Sequence, residues 1–283
     1  MLAFVTTIRH PHNAVSYQRV GHLLDATLRS IVRQTSTAFV IVVVHNELPT
    51  FELADARIST VKVDFPAPST ANTPRIPFDL FQRDKGTKCV VGLTMARDLG
   101  ADHVMFFDAD DLIHHRIAER ANADLSHPGW YSAQGYIHTH GSRTIQFVEE
   151  DFHRKNGSSG IVRTDLAGVP DGLSVASTQS EILEAMSAPY VDVMFGQHGH
   201  WQEHLAPLGY VVEPLPFPAA IWEIGTGENL SGNLVSSRAA RPITADIELA
   251  FGLARPSVGS HARARVTMTA QRLGRRLERA RQN

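Results

Sequence analysis

Three carboxylates crowd the end of one apolar run, at Asp108-Ala109-Asp110-Asp111. The run itself, Val104 to Phe107, is continuously apolar rather than alternating, the pattern of a strand buried on both faces of a parallel sheet. Asp108 and Asp110 are two apart, so an extended backbone points both to one side. Like charges so placed repel unless a cation lies between them, and a hard divalent cation with oxygen ligands is the natural occupant. The carboxyl edge of a parallel sheet is also where α/β proteins bind ligands. The plainer alternative is a turn in which Asp111 caps a helix running from Leu112 to Asn122. A second constellation, His200-Trp201-Gln202-Glu203-His204, fits H-x-x-E-H, with two histidines on one helix face as zinc requires. Gly199 and Pro207 keep that helix short.

The elements that must position these groups read as alternating strands and helices. Leu2 to Ile8 is a first strand, followed by a turn at Arg9-His10-Pro11. Val20, Leu23, Leu24, Thr27, Leu28, Ile31 and Val32 recur at helical spacing. Phe39 to Val44 and Ile58 to Phe65 are two further strands, and Pro66 to Pro77 is a loop. Arg83 to Lys88 then leads to a helix face of Cys89, Gly92, Leu93, Ala96 and Leu99, with Gly100 as its C-terminal stop. Gly92 and Ala96 are small enough for close packing on the sheet. Beyond the carboxylates, Trp130 to His138, Ile145 to Phe152, Ile161 to Arg163 and Tyr210 to Leu215 read as strands, and Gln197 to Leu208 as a helix. Glycine and asparagine from Gly225 to Asn233 permit a closing loop. The order implies an α/β protein with a mainly parallel sheet flanked by helices.

Composition sets outer bounds. The 283 residues are 43% hydrophobic and 20% charged, enough for a full core. A formal net charge of -2 gives no field favouring nucleic acid. Cys89 is the single cysteine, which excludes an intrachain disulfide and a cysteine zinc cluster. The start lacks the pattern of a signal peptide and no apolar run is long enough to span a bilayer, so a cytoplasmic protein is expected. The tail from His261 to Asn283 sets many arginines around Val266, Met268 and Leu273. Such a helix lies on the inner face of an anionic membrane as a peripheral contact, packs against a partner, or is solvated.

Taken in order, these pieces resemble a GT-A glycosyltransferase of the large family-two type. Leu28 to Thr35 is similar to that family's first helix, with its Ser30 and its Gln34-Thr35 ending. Phe39 to Asn46 resembles the second strand, Gly86 to Gly100 with Asp108-Ala109-Asp110-Asp111 the helix and DxD strand, and Leu205 to Val212 the late helix-Gly-Tyr-strand segment. The resemblance implies transfer of a sugar, with inversion, from a nucleotide-diphosphate donor to a carbohydrate, lipid-linked or small-molecule acceptor. It implies Mn2+ or Mg2+ on Asp108 and Asp110, with Asp108 also touching the nucleotide sugar. Thr7, Arg9, Asn46, Lys85 and Lys88 become donor-binding candidates. Two departures stand out. The second strand ends in His45-Asn46-Glu47 where the family has the Asp-Asp that reads the base. The family's catalytic Asp falls on His198, preceded by Gln197. The general base is therefore sought among Asp192, His198 and Glu203, with His198 a further candidate metal ligand.

On this reading residues 1-111 form the nucleotide-sugar-binding half, 112-235 the acceptor-binding and catalytic half, and 236-283 a C-terminal extension with a basic helix. Two rivals remain. Asp-x-Asp after an apolar strand also marks haloacid-dehalogenase-type phosphatases, although there the motif sits on the first strand of the domain. A non-catalytic GT-A domain would bind sugar without turnover, and the intact pair Asp108 and Asp110 speaks against it.

Overall fold

The computed structural model describes residues 1-73, 75-197, 200-229 and 239-254, with isolated positions 257, 259, 262 and 266 beyond them. His198, residues 230-233 of the glycine-rich loop and the arginines of the tail lie outside the described residues.

The chain opens with β1 (Leu2–Thr7), α1 (Tyr17–Ile31), β2 (Phe39–His45), β3 (Ile58–Lys62), α2 (Phe78–Asp98) and β4 (His103–Asp108). It continues through β5 (Leu112–Ile113), α3 (Ile117–Asn122), β6 (Gly129–Tyr131), β7 (Gly135–Thr139), β8 (Thr144–Val148) and β9 (Gly160–Arg163). Then follow α4 (Gln179–Met186), the short turn α5 (Ala188–Tyr190), a π-helical turn Val191–Phe195, α6 (Trp201–Leu205), β10 (Glu213–Pro214), β11 (Ala220–Ile224), β12 (Ala240–Pro242) and α7 (Ala245–Phe251). One sheet runs β10-β6-β9-β4-β1-β2-β3, parallel from β3 through β4. A second sheet, β12-β8-β7-β11-β5, stands beyond the carboxylates. This is the α/β, mainly parallel arrangement flanked by helices that the sequence implies. No described helix is long and apolar enough to cross a membrane.

Both faces of the parallel strands are covered, which is why they read as continuous apolar runs. Ala3, Val5, Val104 and Phe106 pack on the α2 side, whereas Leu2, Phe4, Met105 and Phe107 pack on the α1 and α3 side. The same alternation carries Asp108 to the α2 side, in register with Thr7 of β1.

Several boundaries differ from the sequence pattern for identifiable reasons. Helix α2 begins at Phe78, behind Pro77, and so takes in Arg83 to Lys88 rather than starting after them. Residues from Gln82 to Thr94 are buried almost without a break, so no apolar stripe marks its first turns. Trp130 to His138 is two strands in two different sheets, broken at Ser132-Ala133-Gln134. Asp111 caps no helix: Leu112–Ile113 is a strand, and α3 starts at Ile117. The expected helix from Gln197 to Leu208 is reduced to Trp201–Leu205 and a following 3-10 turn. Residues past 235 join the second sheet, since β12 pairs with β8 and α7 puts Phe251 against His114 and Tyr136.

Helix α2 approaches both of its neighbours through glycine. A Cβ on Gly92 would meet Val5 Cγ1 at 2.3 Å and Val44 Cγ2 at 3.2 Å. A Cβ on Gly86 would meet the Val191 carbonyl oxygen at 2.6 Å, and one on Gly196 the Gln82 carbonyl oxygen at 2.6 Å. The helix is thereby clamped between the sheet and the π-helical turn. Gly92→Ala should destabilise the protein by about 1–3 kcal/mol in urea unfolding, although alanine is the better helix former by about 1 kcal/mol. A stabilised variant would contradict this packing.

Candidate functional site

The carboxylates at the end of β4 are separated by a tight turn. Asp111 N–H donates to the Asp108 carbonyl at 3.1 Å, so the backbone folds back instead of staying extended. The turn rests on α1, whose Thr27 hydroxyl donates to the Ala109 carbonyl at 3.0 Å. The residues in the family-like ending of that helix hold the next segment. Ser30 Oγ accepts from Ile113 N–H at 3.0 Å, and Gln34 bridges the Ala118 N–H and the His114 carbonyl.

Each carboxylate has a different fate. Asp111 is fully buried and accepts from Asn156 Nδ2 at 2.7 Å, Ser158 Oγ at 2.6 Å and Glu223 N–H at 3.1 Å. Burial, then the charges of Asp110 and Asp108, raise its pKa well above the usual range against those bonds. Its work is to tie β4, the Asn156–Ser158 loop and β11 together. Asp108 pairs with Lys85 of α2, and its N–H donates to Ser158 Oγ at 2.8 Å. Asp110 accepts from Asn229 Nδ2 at 2.9 Å. Loss of water, then the charge of Asp108, pushes the Asp110 carboxyl up to about 7 against the pull of Arg9 and Lys85.

Asp108 and Asp110 face a cleft of about 800 Å³ that Thr7, Arg9, Lys85 and Asp84 also line. Arg9 leaves the end of β1 and lies 3.6 Å from Glu228, while burial lowers its pKa and Glu228 and Asp110 raise it. Glu228 also accepts from the N–H groups of Val15 and Ser16 at the head of α1, at 3.1 and 2.8 Å. The Asn229 amide is locked, because its Oδ1 accepts from Thr226 N–H at 2.9 Å and Thr226 Oγ1 at 2.8 Å. Its Nδ2 therefore faces Asp110 and the Glu223 carbonyl. The described part of the proposed closing loop, Gly225 to Asn229, is thus seated on the cleft.

Among the candidate residues, Thr7, Arg9, Lys85, Asp108 and Asp110 are brought together. Lys88 is not with them: it is fully buried, donating to Asp84 Oδ2 at 2.9 Å and to the Ile8 carbonyl at 3.0 Å. Asn46 turns away, donating to the carbonyls of Val63 and Phe65. Asp192 lies off the cleft lining in a two-pronged pair with Arg83, at 2.7 and 2.6 Å. Glu203 pairs with Arg154 at 2.8 Å. The H-x-x-E-H residues go separate ways: His200 Nε2 meets Gln197 Oε1 and His204 Nε2 meets the Tyr190 hydroxyl. Sequence reasoning gave no role in the cleft to Asp84, Glu228, Asn229 or His153, which line it, and it set His200, also in the lining, in the H-x-x-E-H pattern alone. Asp84 was hidden in a helix with no stripe, and Glu228 and Asn229 in a loop read only for the backbone freedom of its glycines and asparagines.

Behind Asp111, Glu223 holds two histidines. His138 Nδ1 meets Glu223 Oε1 and its Nε2 meets the Ser142 carbonyl at 2.8 Å. Both ring nitrogens face acceptors, so both must carry protons. Burial opposes that charge, but Glu223 and the Ser142 carbonyl outweigh it and raise the His138 pKa. Burial likewise opposes charge on Glu223, yet His138 and His140 pull it down to about 2. Since the folded His138 pKa lies above the unfolded value of about 6.5, its contribution is complete below that pH and is lost as pH rises through the raised value. In that window stability should fall by up to about 1.4 kcal/mol per pH unit. Urea unfolding of wild type and His138→Gln from pH 6 to 9 checks this: the variant should lose that part of the slope, and identical slopes would contradict the charged pair.

No known family's sequence pattern matches the chain, and no curated protein matches it in sequence. Among solved structures the chain is similar to S. aureus TarS, at 14% identity and a TM-score of 0.38. That match covers 79% of this chain and 36% of TarS, so the chain spans well under half of that structure's length. The likeness carries no assignment of activity.

Proposed function

We propose that the protein is a glycosyltransferase that takes a sugar from a nucleotide-diphosphate donor and that Mg2+ or Mn2+ assists it. The observation that supports this most is the meeting of Asp108 and Asp110 with Lys85 and Arg9, in one cleft at the carboxyl edge of a parallel sheet. The residues fit such a cation in one particular way. Among the described residues no three histidine, cysteine or acidic side chains gather into a cage. Two carboxylates suffice for Mg2+ when substrate phosphates complete the shell, and the carboxyl of Asp110, raised to about 7, calls for a positive neighbour. When bound, the cation supplies Lewis acidity to the leaving diphosphate.

The chain's own groups do the rest. Breaking the bond between sugar and phosphate sends negative charge onto the diphosphate, and Lys85 and Arg9 are the cations placed to meet it. Asn229 holds Asp110 in one orientation. The attacking hydroxyl needs a base, and we assign this to His153 in place of Asp192, which Arg83 occupies. Burial and then Arg154 lower the His153 pKa, which keeps the ring neutral and able to accept a proton. A single displacement of this kind inverts the anomeric centre, as the family resemblance implies. The donor half is placed in residues 1-111 and the acceptor half in 112-235. The acceptor is a carbohydrate or lipid-linked alcohol. The phosphatase alternative finds no support, because the end of β1 carries Thr7 and Arg9 rather than a nucleophilic aspartate.

Titration calorimetry with UDP, dTDP and GDP in the presence of Mn2+ should give binding that EDTA abolishes. Asp110→Asn should weaken that binding by more than about 100-fold, beyond the 10–100-fold typical of outer-shell partners, with an unchanged circular dichroism spectrum. Equal affinity in Mn2+ and EDTA would overturn the metal role.

A further inference from the structure

The protein has three tryptophans, and the core accounts for two of them. Trp130 is buried against His127, with ring centroids 4.2 Å apart, and Trp201 is buried against Phe106, at 6.1 Å. Trp222 differs from both: it is half-buried, lines the cleft and meets no aromatic ring among the described residues. It stands on β11 one residue before Glu223, whose N–H donates to Asp111 at 3.1 Å. The backbone beneath the indole is therefore fixed against the carboxylate turn. An indole so held presents a flat face of partial negative charge, on which the C–H face of a sugar ring stacks.

Trp222 also begins a row across the second sheet. It pairs with Ile137 of β7, and Ile137 pairs with Gln146 of β8. Trp222, Ile137 and Val148 pack toward the core shared with α1, whereas Tyr136, Ile145 and Ile221 pack with Phe251 of α7. Alternation along β8 then sets Gln146 and Thr144 on the side of Trp222. Ile137, Gln146 and Thr144 are each half-buried, and none of them is ionisable. An aromatic face, an aliphatic one, an amide and a hydroxyl suit sugar rings, whose surfaces alternate C–H and O–H groups. Gln146 lies two strand spacings from Trp222, about 10 Å, which is further than one sugar ring reaches.

Resting on the donor reading above, we propose that this face of the second sheet is the acceptor subsite and that the acceptor is an uncharged glycan of at least two sugar residues. The ring nearest the reaction stacks on Trp222, and the next is hydrogen-bonded by Gln146. The donor's own sugar is a single ring at the diphosphate and does not account for the Gln146 end. A lipid chain would leave the amide and hydroxyl without partners, and an acidic polymer would meet no cation on this row.

The test screens the full chain, with Mn2+ and whichever of UDP, dTDP and GDP binds most tightly, on an array of neutral and acidic oligosaccharides. Hits are then measured by calorimetry. A neutral glycan should bind, and more tightly than its own monosaccharide. Trp222→Ala should weaken it by about 10-fold, the worth of one aromatic stack, and Trp222→Phe should keep most of the affinity. Gln146→Ala should weaken the glycan by up to about 10-fold and leave the monosaccharide unchanged, a split that a merely structural role would not give. If Trp222→Ala fails to fold, Trp222→Phe and the half-exposed Gln146→Ala decide. Binding of no neutral glycan, tighter binding of acidic ones, or unchanged affinity in Gln146→Ala would overturn the proposal while diphosphate binding keeps the donor reading intact. So would a Trp222→Ala loss confined to the donor sugar, read as UDP-glucose against UDP. Failure of every diphosphate to bind would overturn both.

Discussion

Three acidic residues in four positions at the end of a buried strand repel one another, and the surrounding structure is organised to contain that repulsion. Asp111 is drawn inward and satisfied by Asn156, Ser158 and the Glu223 N–H. Asp108 is paired with Lys85 from α2. Asp110 is left at the cleft with one amide from Asn229 for company. Separating the three fates is what turns a crowded turn into a site, since only the outer two remain available to a ligand.

Each solution recruits a different part of the fold. The Lys85 pair requires α2 to lie close over the sheet, which the bare backbone of Gly92 permits against β1 and β2. The anchoring of Asp111 draws in the loop before β9 and the strand β11, so the second sheet is fastened directly behind the carboxylates. Asn229 and Glu228 close the circuit, because Glu228 both accepts from the head of α1 and neighbours Arg9. The cleft is therefore framed by elements that depend on the same few polar contacts.

The parallel strands and the paired aspartates were legible in the sequence because they rest on local signals. A continuous apolar run announces a strand covered on both faces, and Asp108 stands out against it. The long helix α2 was legible only in its second half, since its first turns are buried on several sides by the π-helical turn near Asp192 and show no period. Lys88 and Lys85 look alike in sequence, yet one is fully buried in an ion pair with Asp84 and the other reaches Asp108. Asn46 and Asp192 have suitable chemistry but are spent on neighbours distant in sequence, Phe65 and Arg83. Asn229 and Asp110 are 119 residues apart, a pairing that no window along the chain contains.

The central claim is that Asp108 and Asp110 share one divalent cation with the diphosphate of a donor. Anomalous diffraction from crystals grown with Mn2+ and UDP tests it most directly. The account predicts one Mn2+ peak about 2.1 Å from an oxygen of each carboxylate, bridged to the diphosphate oxygens. A diphosphate bound with no metal between it and these two residues, or a Mn2+ peak elsewhere in the cleft, would contradict it.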